Sequence, residues 1–394
     1  MDRVPGAGDR ARGGGLETSR AAAEVEAAAG KAAGAAPGRA APGSAVPGSM
    51  ASGGAGEQAG RDRRVGWAAL LVVWVLWGST YFAIRVGVET IPPLLMAGTR
   101  YVIAGLLMFP FAVRSRVPGE TAGSPAGRGG WRRGRGADRP RRADRSPGAD
   151  RPRARFWWSA AVVGMLLLAG GNGGVSVAER TVPSGLAALL LATVPLWLIL
   201  IDRVVTGTRI GLIATAGLVA GAVGVGFLSG LFGGSSHGGR GAVSVVGVVI
   251  ILAASVSWAS GTIASRRLPL PARPLLATSM QMLAGGVVLF GAAAVAGEFS
   301  GLDLGRVSAG SLLGLLWLIG PGSIIAFSAY VVAVRRLPTA SVATYAYVNP
   351  IIAVILGTAL LGETVTGPML LGGALVVVAV VLVLRAQAVR SRPR

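Results

Sequence analysis

The strongest constraint on this chain is a succession of apolar runs, each about as long as a membrane crossing. They fall at roughly 67–84, 94–113, 156–178, 184–203, 210–229, 243–264, 273–296, 308–334, 340–361 and 367–385. A helix rising 1.5 Å per residue needs about 20 residues to cross about 30 Å of hydrocarbon. In lipid only helices and closed barrels satisfy their own backbone, and the alternating pattern of barrel strands is missing here. Charged residues make up 14% of the chain and mean hydropathy is +0.61, whereas soluble domains carry about 25% charge. The expected fold is an all-α integral membrane protein of ten transmembrane helices.

Charge placement orients such a bundle. With the N-terminus inside, the inner flanks hold nineteen Arg, and the outer loops hold Arg85, Arg180, Arg240 and Arg306. Basic residues near spans stay on the cytoplasmic side, so both termini are expected in the cytoplasm and the number of spans is even. The net charge of +21 does not point to nucleic acid. Its densest source, the segment 114–155, has 13 Arg but a single aromatic residue, Trp131, which leaves little for base stacking. It reads as a disordered cytoplasmic insert that helps fix topology. Residues 1–64 are Ala, Gly and Pro with scattered charges and no aromatic residue. They cannot bury enough surface to offset their ordering entropy and read as a disordered tail. Residues 386–394 read as a basic cytoplasmic tail.

The chain repeats itself. Trp77-Gly-Ser79 recurs as Trp258-Ala-Ser260 and Pro93-Leu-Leu as Pro274-Leu-Leu, 181 residues on. Arg180-Thr-Val-Pro183 recurs as Arg335-Arg-Leu-Pro338, Pro195 as Pro350, and Gly211 and Gly217 as Gly367 and Gly373, 155 to 156 residues on. The change of offset matches the basic insert. Residues 67–229 and 243–385 therefore read as two copies of one five-helix unit. Five is odd, so the copies lie upside-down to one another, as in secondary transporters with a solute site between the halves.

These landmarks carry a family resemblance. Trp77-Gly-Ser79-Thr-Tyr-Phe82, Pro92-Pro93, Thr99-Arg100, Gly171-Asn172-Gly173 and Val182-Pro183-Ser184 resemble the first repeat of the EamA family. Tyr347-Val-Asn349-Pro350 and Leu361-Gly-Glu363-Thr364 resemble its penultimate helix. The family belongs to the drug/metabolite transporter superfamily. The resemblance covers about 67–385, apart from 114–155 and the short loop 230–242. It implies a ten-helix carrier of the inner membrane, usually an exporter of small metabolites, amino acids or drugs. The long tail and the basic insert depart from the compact family pattern.

Polar groups within the spans are the candidate site, because each costs insertion energy; an Arg at a helix centre costs about 2.5–3.5 kcal/mol. Arg100, about 10 Å into its span, could hold an anionic group such as a carboxylate, or pair with Glu179. Gln281 is its repeat mate, which makes the site asymmetric. Asn172, flanked by four glycines, and loosened backbone around it could line a cavity. Trp77, Ser79, Trp258 and Ser260 put an indole face beside a hydroxyl in both repeats, which suits an amphipathic solute or a cation. Tyr345, Tyr347 and Asn349 sit at the proline kink of Pro350, where a freed carbonyl adds an acceptor. Glu179 and Glu363, near outer span ends, are candidates for coupling to H+.

Other function classes fit less well. There is no Cys and the one His, His237, stands alone, which excludes disulfides, thiolate chemistry and a His-cluster metal site. No phosphate-binding loop is present, so no nucleotide or other cofactor is expected. A passive channel needs a continuous polar ring, and an enzyme acting on lipid-linked substrates needs acidic or His clusters at the surface. A secondary carrier working by alternating access remains the leading expectation, with a small-molecule substrate, the bilayer and a coupling proton as partners. A homodimer is left open.

Overall fold

The computed structural model describes residues 51–114, 153–207, 209–231 and 244–390. Contacts separate Met1–Glu57 from a compact unit, Gln58–Arg394. Of the first, only residues 51–57 are described, and they are helical. The tail expected to be disordered over 1–64 is therefore helix from Ala51 onward. The rest of that tail, the body of the 114–155 insert and the last four residues lie outside the described residues.

Every regular element among the described residues is a helix. The main ones are α1 Ala51–Gly87, α2 Pro93–Arg114, α3 Ala154–Ala178, α4 Ser184–Thr206, α5 Leu212–Leu228, α6 Val245–Arg267, α7 Pro274–Val295, α8 Ala309–Arg336, α9 Tyr345–Leu361 and α10 Gly367–Arg390. Eight are long and apolar enough to cross a membrane; α5 and α9 are apolar but shorter. At 17 residues each they reach about 25 Å. Local chemistry shortens both. Gly230 turns the chain in the left-handed region just past α5 (φ 77°). A separate short helix, Thr339–Val342, takes up the first part of the expected 340–361 segment, and Gly362 ends α9 in the left-handed region (φ 66°).

Small residues set the packing. α2 packs extensively on α7, and α5 on α10. A Cβ added at Gly105 of α2 would lie 2.9 Å from Leu283 of α7. One added at Gly224 of α5 would lie 2.8 Å from the carbonyl oxygen of Gly372 in α10, and the reverse distance is 2.7 Å. In lipid, where apolar surface alone gives no drive to associate, such close backbone approach holds helices together.

Two spans are locally unwound. Met165–Gly173 within α3 and Gly320–Ile325 within α8 are π-helical. Each wide turn offsets the backbone ladder, and such turns often sit at functional sites. The sequence supplies the cause: a Gly-Gly-Asn-Gly-Gly run in one, and Gly-Pro-Gly-Ser in the other, where Pro321 lacks a donor. Their starts lie 155 residues apart, as do the left-handed Gly207 and Gly362 that cap α4 and α9.

Candidate functional site

A cavity of about 330 Å³ lies between α1, α2, α3, α4, α6, α8, α9 and α10. Arg100 and Tyr101 of α2 and Asn172 of α3 line it from within their helices. Trp77, Trp258, Phe327 and Tyr330 line it too, and so do Arg266, Val334 and Leu384, which lie near helix ends where basic residues gather.

Arg100 is 4% exposed. Its Nε donates to Ser323 Oγ at 2.9 Å, and one terminal nitrogen donates to the Gly322 carbonyl at 3.4 Å. Both acceptors belong to the π-helical segment of α8, so unwinding there brings acceptors to the guanidinium. Its carbon also lies 4.8 Å from the Tyr101 ring centroid. Five N–H donors are available on a guanidinium, so three remain. Among the described residues no Asp or Glu lines the cavity, and Glu179 does not pair with Arg100. The buried Tyr101 hydroxyl likewise has no partner among the described residues. A desolvated cation without an acid beside it is costly.

Aromatic rings form the adjoining wall. Trp77 meets Phe327 at 5.2 Å and Tyr345 at 5.3 Å, both edge to face, and Tyr330 at 5.2 Å. Tyr330 and Tyr345 are 6.0 Å apart, also edge to face. These separations fit favourable aromatic pairs. Asn349, 7% exposed, closes this corner; with its amide oriented to satisfy its neighbours, the nitrogen donates to the carbonyls of Trp74 and Tyr345, each at 3.3 Å.

The residues picked from sequence divide clearly. Trp77, Arg100, Asn172, Trp258, Tyr345 and Asn349 converge on the cavity. Ser79, Ser260, Gln281 and Tyr347 do not line it. Ser79 Oγ donates to the Leu76 carbonyl and accepts from Trp317 Nε1 at 3.0 Å. Ser260 Oγ donates to the Val256 carbonyl. Gln281 gives its backbone carbonyl to the close contact with Gly164 of α3, and Tyr347 packs against the cluster around Leu186 and Leu190. The residue periodicity at the helix turns these side chains away from the centre. Residues not picked are Tyr81, Arg266, Phe327, Tyr330 and Ser323. Phe327 and Tyr330 stand three apart on one face of α8, a visible signal. Arg266 was hidden among basic residues that also fit a purely topological role.

The two glutamates lie apart from the cavity wall. Glu363 Oε1 accepts from the Ser184 N–H at 2.7 Å, and Oε2 from the Gly185 N–H at 3.1 Å, capping α4. Glu179, one residue past the end of α3, is fully buried, and neither carboxyl oxygen has a hydrogen-bond partner among the described residues. Arg85 donates instead to the Glu179 backbone carbonyl. Burial first, and then the Glu363 charge, push the Glu179 carboxyl well above the usual carboxylate range, against the pull of Arg85.

An all-helical bundle with several membrane-spanning helices around a partly open, cationic and aromatic chamber defines a membrane protein built to handle a small solute. The EamA-like transporter family matches residues 64–134 and 245–385, and the chain belongs to that family. It is 38% identical over 316 residues to the "Uncharacterized inner membrane transporter YedA" of Escherichia coli K12, spanning 80% of this chain and 89% of that one. It is 25% identical over 328 residues to the "Probable amino-acid metabolite efflux pump" of Salmonella typhimurium, 80% of this chain and 93% of that one. It is 28% identical over 329 residues to the "Probable terminal-alkyne amino-acid exporter" of Streptantibioticus cattleyicolor, 83% of this chain and 95% of that one. The chain is thus a membrane transporter of the drug/metabolite superfamily, which implies a small-molecule substrate and a lipid bilayer.

Proposed function

We propose that this transporter is a secondary carrier that exports a small organic solute bearing an anionic group across the inner membrane by alternating access. The observation that carries the reading is Arg100: buried, without an acidic partner, and facing a cavity whose other wall is aromatic. The guanidinium receives the anionic end through its three remaining N–H donors. Trp77, Tyr330 and Tyr345 cover the apolar body, and Asn172 and the Tyr101 hydroxyl supply further polar contacts.

In this reading the ten helices are two inverted five-helix repeats, and α5 and α9 cross the membrane despite their length. The matched π-helical segments and left-handed caps, each pair 155 residues apart, support that symmetry. Both termini are cytoplasmic, as the positive-inside bias supports. The cavity then opens toward the cytoplasm through Arg266, Val334 and Leu384, and the opposite end, around Glu179 and Glu363, is closed. That is a loading state for export. The names of the efflux-pump and exporter relatives support export, and amino acids or related carboxylates are the first solutes to test. Carboxylate flux in cells lacking and overproducing the protein, with Arg100→Gln beside wild type, is the test. Equal flux through both would remove the site.

A further inference from the structure

The closed end of the bundle holds a carboxyl group that the anion site does not use. Glu179 is 0% exposed, and both of its oxygens lack a hydrogen-bond donor. The charged and titratable groups around it are Arg85 and Tyr81 from α1 and Glu363 from the segment after α9, with the half-exposed Arg180 next in the chain. Arg85 is the one cation acting on it among the described residues, and its hydrogen bond goes to the backbone carbonyl of Glu179 rather than to the carboxyl. Glu363 spends both oxygens on the N–H groups of Ser184 and Gly185 at the N-terminus of α4, five and six residues after Glu179, and adds a like charge nearby. Tyr81 lines the cavity and also feels the Glu179 charge, so the buried carboxyl lies near the chamber wall. Ionised, Glu179 would be a buried anion with no hydrogen-bond donor beside another carboxylate, a cost that the nearby Arg85 charge offsets only in part. As the neutral acid it fits its place.

We propose that Glu179 is the proton-binding site of this carrier: it holds a proton while the outer end is sealed and releases it when that end opens to water. This rests on the carrier reading above. The sign follows from linkage. The sealed state binds the proton more tightly than the open state, so acid outside favours sealing and alkali favours opening. For one proton the ratio of open to sealed carrier changes by up to about tenfold per pH unit between the two binding strengths. Each opening releases one proton from Glu179 to the outside water and each resealing takes one back from it, so no proton crosses the membrane at this step, and the returning external proton helps to reset the emptied carrier toward the cytoplasm. No bond other than O–H is made or broken.

The absence of cysteine makes this directly measurable without knowing the solute. Ala188 of α4 is fully buried and lines the cavity within about one turn of the sealed end. Ala188→Cys is labelled with a membrane-impermeant maleimide added outside intact spheroplasts, and Gly301→Cys, in an exposed loop, corrects for the reagent's own pH dependence. Corrected labelling is expected to rise about tenfold or more from about pH 6 to about pH 8. Adding Glu179→Gln, a neutral acid mimic of the same shape, should hold it at the low acid value at every pH. Glu179→Asp should restore the rise. A pH response surviving in Glu179→Gln, or labelled wild-type background without any response, overturns the proton site and leaves the carrier standing. Labelling absent at every pH in all backgrounds overturns the moving outer seal and the carrier reading with it.

Discussion

Replacing Arg100 with Gln separates a solute anchor from a structural charge. The substitution removes the 2.9 Å bond to Ser323 and the 3.4 Å contact to Gly322. Ser323 Oγ keeps its own bond to the Leu318 carbonyl at 2.9 Å, so no buried donor is orphaned. A desolvated charge disappears, which lowers the insertion cost by about 2.5–3.5 kcal/mol at most. Protein level should therefore hold or rise. Transport of a carboxylate-bearing solute should fall about 10- to 100-fold, because a charge-assisted contact to a buried group contributes about 1.5–3 kcal/mol. Arg100→Lys should recover only part of it, since an ammonium lacks the planar fork that matches a carboxylate. Membrane abundance and initial transport rate are measured on the same cells. Undiminished transport per molecule in Arg100→Gln, or loss of protein with normal transport by what remains, would refute the anchor.

Further outcomes follow from the same geometry. Gly224→Ala should lower thermal stability in detergent by about 1–3 kcal/mol, because the new methyl meets the Gly372 carbonyl at 2.8 Å; Gly291→Ala, with nothing within 4 Å, should not. Ser260→Ala should leave transport unchanged, since that hydroxyl serves only the Val256 carbonyl, whereas Trp77→Ala should weaken solute affinity measured by competition. Glu363→Ala strips both acceptors from the start of α4 and should cost about 0.5–2 kcal/mol in a thermal melt. Reporter fusions after Arg394 should read cytoplasmic, and an insertion within 232–242 should read the opposite side.

Much of the fold is legible in the sequence because lipid leaves so few options. Spanning-length apolar runs become helices, and the structure adds two pairs beyond the repeated motifs of the sequence, the π-segments and the left-handed caps Gly207 and Gly362, at the same 155-residue offset. Helix ends are less legible: the short helix Thr339–Val342 and the 17-residue α9 depend on local turns inside one continuous apolar run. For the site, depth in a span located Arg100, Asn172 and Trp77, but not which way each side chain faces. Ser79 and Ser260 stand at matching repeat positions and still turn to Trp317 and to their own backbone, because matching position fixes depth rather than facing. The three-residue spacing of Phe327 and Tyr330 was visible, but they follow the unwound Gly320–Ile325, which shifts their phase, so a regular 100° count from the start of α8 does not say that they face the cavity. Glu179 was visible as a charge near a span end; its complete burial was not, since that requires the packing of α1, α4 and the segment after α9 around it.

The central claim is that one anion site is exposed to the two sides in turn. Counterflow tests it most directly: proteoliposomes loaded with a high concentration of unlabelled transported carboxylate are diluted into a trace of the labelled compound. Alternating access predicts a transient accumulation of label above its outside concentration, saturable, and lost in Arg100→Gln. Label that only equilibrates, at a rate indifferent to the internal load and linear in concentration, would show an open pore and contradict the carrier.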